Sequence, residues 1–377
     1  MKNLSRIVAC SAAALLAACG GGKSGDAEGT GSREHAPDRV VNVYNWPDYI
    51  APGLLEQFEA ETGIEVNYST FDSNEMLETQ LLTGKAGHDV VVVTANFLQR
   101  QVAAGAHQPI DRSRLAHYGN LDPGMMALLA ENDPGNRYGV GYMWGTTGIG
   151  YDARQVAAAA PDAPTDSWRL VFDPKVAARL AGCGIAFVDA PSEILAVTLM
   201  SLGKDPYSTE PADLAAAEAA LLAIRPHVRY ISSPQLIEDL ASGSICVMVG
   251  WSGDVLRARL RSEQAKLETD IRYVIPVEGT LSWFDMLAIP KDAPHPDEAY
   301  AFIDFMLRAD IGAKNATSVR YATFNRAALP LLDEAMTSDP SIYPAPEVRA
   351  RLRVTQPRSL EDSRVENRIW TRFRTGQ

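Results

Sequence analysis

Asp89-Val90-Val91-Val92-Val93-Thr94-Ala95-Asn96 sets four β-branched apolar residues in a row and then turns polar. A half-exposed strand would alternate apolar with polar side chains. A continuous run instead fits a strand buried on both faces, as in a parallel sheet covered by helices. Its C-terminal end, at Thr94 and Asn96, is where open α/β sheets hold their ligands. Towards the N-terminus, Leu54, Leu55 and Phe58 recur at helical spacing, and Gly63 ends that helix. Ile64, Val66 and Tyr68 alternate as a strand, while Met76, Leu77 and Leu81 place a helix over 73–82, stopped by Gly84. Residues 40–44 supply an earlier strand and 97–106 a further helix. Three strand–helix pairs in succession predict a doubly wound α/β domain.

The second half repeats the rhythm. A strand over 184–188 runs into Asp189-Ala190-Pro191-Ser192-Glu193 and an apolar helix. Residues 245–249 form a second continuous apolar strand, ending in Gly250-Trp251-Ser252-Gly253-Asp254. Two extended stretches, 142–151 and 278–290, read as crossovers between two domains, with Gly145, Gly148 and Gly150 as conformationally permissive positions. From residue 311 onward, terminal helices are expected. A chain of 377 residues exceeds one ordinary core, which also argues for two domains. With 46% hydrophobic and 22% charged residues the composition is globular, and no run of about eighteen apolar residues predicts a membrane-spanning helix in the body.

The N-terminus reads as a processing segment. Lys2 and Arg6 precede an apolar run over 7–18 that ends in Leu16-Ala17-Ala18-Cys19. That tetrapeptide followed by Gly20 resembles the lipobox of bacterial lipoproteins, which implies a signal peptide over 1–18, cleavage before Cys19 and lipid on its thiol. Residues 19–39 then form a lipidated cysteine and a flexible Gly- and Ser-rich tether, spanning roughly 25 Å as a random coil. The expected location is the periplasm, held at a membrane by the lipid alone. Losing Lys2 and Arg6 takes the formal charge from −12 to −14, which disfavours nucleic acid. With Cys10 and Cys19 accounted for, Cys183 and Cys246 remain; export would oxidise such a pair to a disulfide, two separate buried thiols being the alternative.

Aromatic and acidic residues recur together at strand ends. Trp46, Asp48 and Tyr49 follow the first strand; Trp251 and Asp254 follow the strand over 245–249; Trp283 and Asp285 lie in the second crossover; Glu193 follows a fourth strand. Carboxylates gathered in one cleft repel unless a cation neutralises them. Aromatic faces cover methylenes and attract cations. The set therefore predicts a ligand with separated positive charges and an apolar middle. Competing chemistries lack their signatures. The histidines are scattered, so zinc is not expected, and no oxygen-rich loop suits calcium. Residues 142–151 lack a phosphate-loop lysine, and Ser252 fails the nucleophile-elbow spacing. No cofactor, metal or enzymatic activity is expected.

The stretches 43–52, 71–75, 142–151 and 250–254 together resemble the periplasmic polyamine-binding proteins, the putrescine-binding kind that feed an ABC transporter. The resemblance runs collinearly from about residue 40 to the C-terminus. It implies a type II periplasmic-binding-protein fold: two α/β lobes joined by two crossover strands, with a ligand cleft between. The expected division is 40–145 with 277–312 for lobe 1 and 146–276 with 313–377 for lobe 2. By resemblance, lobe 1 contributes Trp46, Asp48, Tyr49, Thr94, Trp283 and Asp285, and lobe 2 contributes Glu193, Trp251, Asp254 and Tyr321. The rings would sandwich a methylene chain and the acids would hold the ammonium groups. The family also pairs the cysteines matching Cys183 and Cys246. The implied protein is a monomer that captures a polyamine, putrescine foremost, and delivers it to permease subunits. Spermidine, cadaverine or agmatine, or a polyamine-sensing role, are the alternatives. Pro47 stands where the relatives carry Ser or Thr, Ser192 for an acid, Trp283 for Phe and Arg320 for an aromatic.

Overall fold

The computed structural model describes residues 39–377. The expected signal segment, the lipid-anchor Cys19 and nearly all of the tether lie outside the described residues.

The described residues form eleven strands: β1 (Val40–Asn45), β2 (Glu65–Thr70), β3 (Val90–Thr94), β4 (Gly139–Asp152), β5 (Ile185–Phe187), β6 (Val228–Ile231), β7 (Val247–Trp251), β8 (Ile271–Val274), β9 (Thr280–Ala288), β10 (Ala322–Thr323) and β11 (Leu352–Val354). Their order is β2-β1-β3-β9-β4-β7-β5-β6, with β8 and β10 also on β4 and β11 on β9. At one end β2, β1 and β3 are parallel, and at the other β7, β5 and β6 are parallel. The antiparallel strands β4 and β9 lie between the two parallel groups. This is the mixed α/β arrangement of two lobes joined through crossover strands. The four valines of β3 are all 0% exposed, as the unbroken apolar run requires.

Two hydrophobic cores result. The first gathers Val43, Phe58, Leu77, Val92, Leu98, Met286 and Phe302, and the second Ile149, Trp168, Phe187, Leu195, Val249 and Phe373. The crossover strands change core along their length: Trp144 and Trp283 belong to the first, Ile149 and Leu281 to the second. A disulfide joins Cys183 to Cys246 with Cα atoms 5.4 Å apart, beside the second core.

Two expectations need correction. Residues 313–342 were assigned to the second lobe, yet Ala316, Val319, Tyr321, Phe324 and Ile342 pack into the first core. Helix Ala309–Val319 continues directly from helix Pro296–Met306 and buries its apolar face on the same side; only the last helix, Leu360–Thr375, returns to the second core through Ile369, Trp370 and Phe373. Gly145, Gly148 and Gly150 do not take positive φ. Their role is close approach, most clearly at Gly145, where a Cβ would meet the Trp283 ring at 2.6 Å.

Candidate functional site

All ten expected residues line one cavity. Trp46, Asp48, Tyr49, Thr94, Glu193, Trp251, Asp254, Trp283, Asp285 and Tyr321 surround about 90 Å³, together with Pro47, Asp72, Asn74, Ser233, Pro234, Ile237 and Arg257. Local folding explains how they converge. Trp46 to Tyr49 follow the C-terminal end of β1, Thr94 ends β3, and Trp251 ends β7. Glu193 and Asp254 occupy first turns of helices Pro191–Ser201 and Ser252–Ala265, where unpaired N–H groups favour negative charge. Trp283 and Asp285 alternate along β9, so their side chains share one face.

The aromatic side chains meet edge to face. Trp46 approaches Trp251 at 5.8 Å and 71°, Trp283 approaches Tyr321 at 5.1 Å and 70°, and Tyr49 approaches Tyr321 at 5.4 Å and 84°. Gly253 permits this packing, since a Cβ there would lie 2.5 Å from the Tyr321 ring.

The acids fall into two kinds. Asp285 lies opposite Thr94 in the ladder and accepts from the Thr94 hydroxyl at 2.7 Å and the Tyr49 hydroxyl at 2.9 Å. Asn74 Nδ2 in turn donates to Thr94 Oγ1 at 2.9 Å. Glu193 accepts from the Thr147 hydroxyl and from Trp251 Nε1, the latter at 3.1 Å. Asp254 accepts from the Tyr321 hydroxyl at 3.0 Å. These three carboxylates receive only neutral donors among the described residues. Burial pushes Glu193 up to about 7, against the Thr147 and Trp251 hydrogen bonds. It likewise raises Asp254 to about 6, opposed by the Arg257 charge, and Asp285 to about 6, opposed by Thr94 and Tyr49.

Asp48 differs. It is half-exposed at the rim and pairs with Arg257 at 2.8 Å and Arg261 at 3.3 Å. Burial would raise its carboxyl, but the two guanidinium groups together outweigh that and hold it below the usual range. Asp48, expected among the ligand acids, is thus ion-paired with the protein's own Arg257 and Arg261. Tyr321 was expected from the second lobe and instead arrives from the first core, directly after Arg320 in the left-handed region.

Sequence reasoning missed Asn74 and Arg257. A faint signal existed for Arg257: three residues after Asp254, it shares one face of the helix. Asn74 lies within the 71–75 stretch that carries the resemblance, but as the residue after the helix-capping Ser73 it has no chemical pattern that marks it as a site residue.

A family model described as bacterial extracellular solute-binding protein matches residues 53–344. The chain belongs to that family. Within this family of solute-binding proteins, the putrescine-binding periplasmic protein SpuD of Pseudomonas aeruginosa is 46% identical, over 92% of this chain and 95% of its own. The putrescine-binding periplasmic protein PotF of Escherichia coli is 45% identical, over 91% and 93%. Among solved structures, the spermidine/putrescine ABC transporter substrate-binding protein PotD of Streptococcus pneumoniae superposes with a TM-score of 0.72 at 30% identity, covering 90% of this chain and 99% of that one. No helix among the described residues is long and apolar enough to cross a membrane.

Proposed function

We propose that this protein captures an aliphatic diamine, putrescine foremost, between its lobes and delivers it to the permease of an ABC transporter. The observation that carries this reading is the trio Glu193, Asp254 and Asp285: Asp285 is buried and the other two are partly buried, all three have raised pKa values, and they accept hydrogen bonds only from neutral donors among the described residues, inside an aromatic cage. A ligand ammonium supplies the charge-assisted hydrogen bonds they lack. Trp46, Trp251, Trp283 and Tyr321 cover the methylenes and offer ring faces to the charged ends.

Size agrees with that assignment. The cavity volume, about 90 Å³, suits a small molecule and not a macromolecular segment. Putrescine has four methylenes and two ammonium groups. A ligand touching residues of both cores favours the closed state, because it binds that state better. The names of the relatives at 45–46% identity support the same ligand class.

The lipobox-like Leu16-Ala17-Ala18-Cys19 supports, in this proposal, a periplasmic protein held at a membrane by lipid on Cys19; a monomer is proposed with it. The test is calorimetric titration of the mature protein with putrescine, cadaverine, agmatine and spermidine. Saturable one-to-one binding, tightest for putrescine, is expected; absence of binding by all four would refute the reading.

A further inference from the structure

Resting on the diamine reading above, we propose that Arg257 is a built-in cation that restricts the cleft to ligands with a single positive charge where Asp48, Asp254 and Tyr321 meet. Arg257 lines the cavity with those three residues, and its side chain is only 13% exposed. Two of its nitrogens fasten on one residue: Nη2 contacts the Asp48 carboxylate at 2.8 Å and Nη1 donates to the Asp48 carbonyl at 3.1 Å. Asp48 has φ 55°, a left-handed conformation uncommon outside glycine. Double attachment to that turn fixes where the guanidinium sits.

The consequence is a division of labour between two acids. Asp48 is neutralised from within, which leaves Asp254 as the acid open to a ligand ammonium here. Asp254 also feels the Arg257 charge, so the two lie close enough to interact. A diamine places one ammonium at Asp254 and stops. A triamine that extends a further ammonium this way meets a guanidinium of like charge rather than a carboxylate. Discrimination then comes from repulsion built against the longer ligand.

Arg261 provides the contrast. It contacts the same Asp48 carboxylate at 3.3 Å and also Glu238 at 3.5 Å, but it is 40% exposed and does not line the cavity. It can steady the loop without acting on the ligand.

The test is titration of putrescine and spermidine into the wild type and into the Arg257→Gln, Arg257→Lys and Arg261→Gln variants, with unliganded Tm recorded for each. The wild type is expected to prefer putrescine. Arg257→Gln should shift the spermidine-to-putrescine Kd ratio towards spermidine by about tenfold or more, and Arg257→Lys should keep the wild-type preference. Arg261→Gln should weaken both amines alike. A ratio unmoved by Arg257→Gln, or a wild type that prefers spermidine, would overturn the inference. A wild type that binds neither amine refutes the diamine reading itself, and this inference falls with it; that outcome is distinct from an unmoved ratio in a protein that binds.

Discussion

Asp285 sits on β9 opposite Thr94, with one oxygen taken by the Thr94 hydroxyl and the other by that of Tyr49. Those bonds favour the ionised carboxylate, yet burial outweighs them and the group rises to about 6. An ammonium beside it would restore full ionisation. Asp285→Asn keeps an acceptor for Thr94 and removes the charge. In a calorimetric titration its putrescine affinity should fall by about 30-fold or more, corresponding to about 2 kcal/mol for a buried charge pair losing one member. The unliganded Tm should not fall, since a neutral amide avoids the desolvation of a buried charge. Wild-type affinity in that variant would remove Asp285 from the ligand's contacts. Asp48, which reads alike in sequence, behaves otherwise because its partner Arg257 lies 209 residues away, and no local pattern announces such a pairing.

Helix Ser252–Ala265 begins where β7 ends, and its first turn carries both the Asp254 charge and the gap at Gly253. Replacing Gly253 by alanine improves helix propensity by at most about 1 kcal/mol. It also drives a Cβ into the Tyr321 ring, and overpacking of that kind costs about 1–3 kcal/mol. The clash should win. Gly253→Ala is therefore expected to lower Tm and weaken putrescine binding through a displaced Tyr321, measured by calorimetry and thermal unfolding; a variant with raised Tm and intact binding would contradict that packing account. Elements with a strong period were legible in the sequence: the valines of β3, the apolar run before Trp251 and the helices around Phe58 and Leu77. β10 and β11 were not: Ala322–Thr323 and Leu352–Val354 carry neither an apolar run nor an alternation, whereas the equally short β5 lies in the continuous apolar stretch Ile185-Ala186-Phe187-Val188. The convergence of ten residues on one cavity was read through family resemblance, while the ring contacts and the route of Tyr321 needed the tertiary packing. The glycines of β4 were visible as a cluster, but their reason lies in tertiary neighbours: Trp283 and Tyr273 on the paired strands β9 and β8, and Val255 on helix Ser252–Ala265.

Charge links the two lobes at the scale of the whole molecule. Glu193, Asp254 and Asp285 each have a folded carboxyl raised above its ordinary value of 4.5 or 3.8. Between about pH 4 and 7 the unliganded folded state therefore binds more protons than the unfolded chain. The stability these groups contribute is present at the acid end of that window and is lost as pH rises through 6 and 7. A bound dication reverses the preference, because it favours the ionised acids, so binding releases protons and weakens as pH falls through 7 and 6. The most direct check on a cleft of acids with raised carboxyls built for a dication is calorimetric titration of the mature protein with putrescine at pH 7.5 and at pH 5. The account predicts one-to-one binding at pH 7.5 and an affinity lower by about tenfold or more at pH 5; no binding at pH 7.5, or equal affinity at both values, would contradict it.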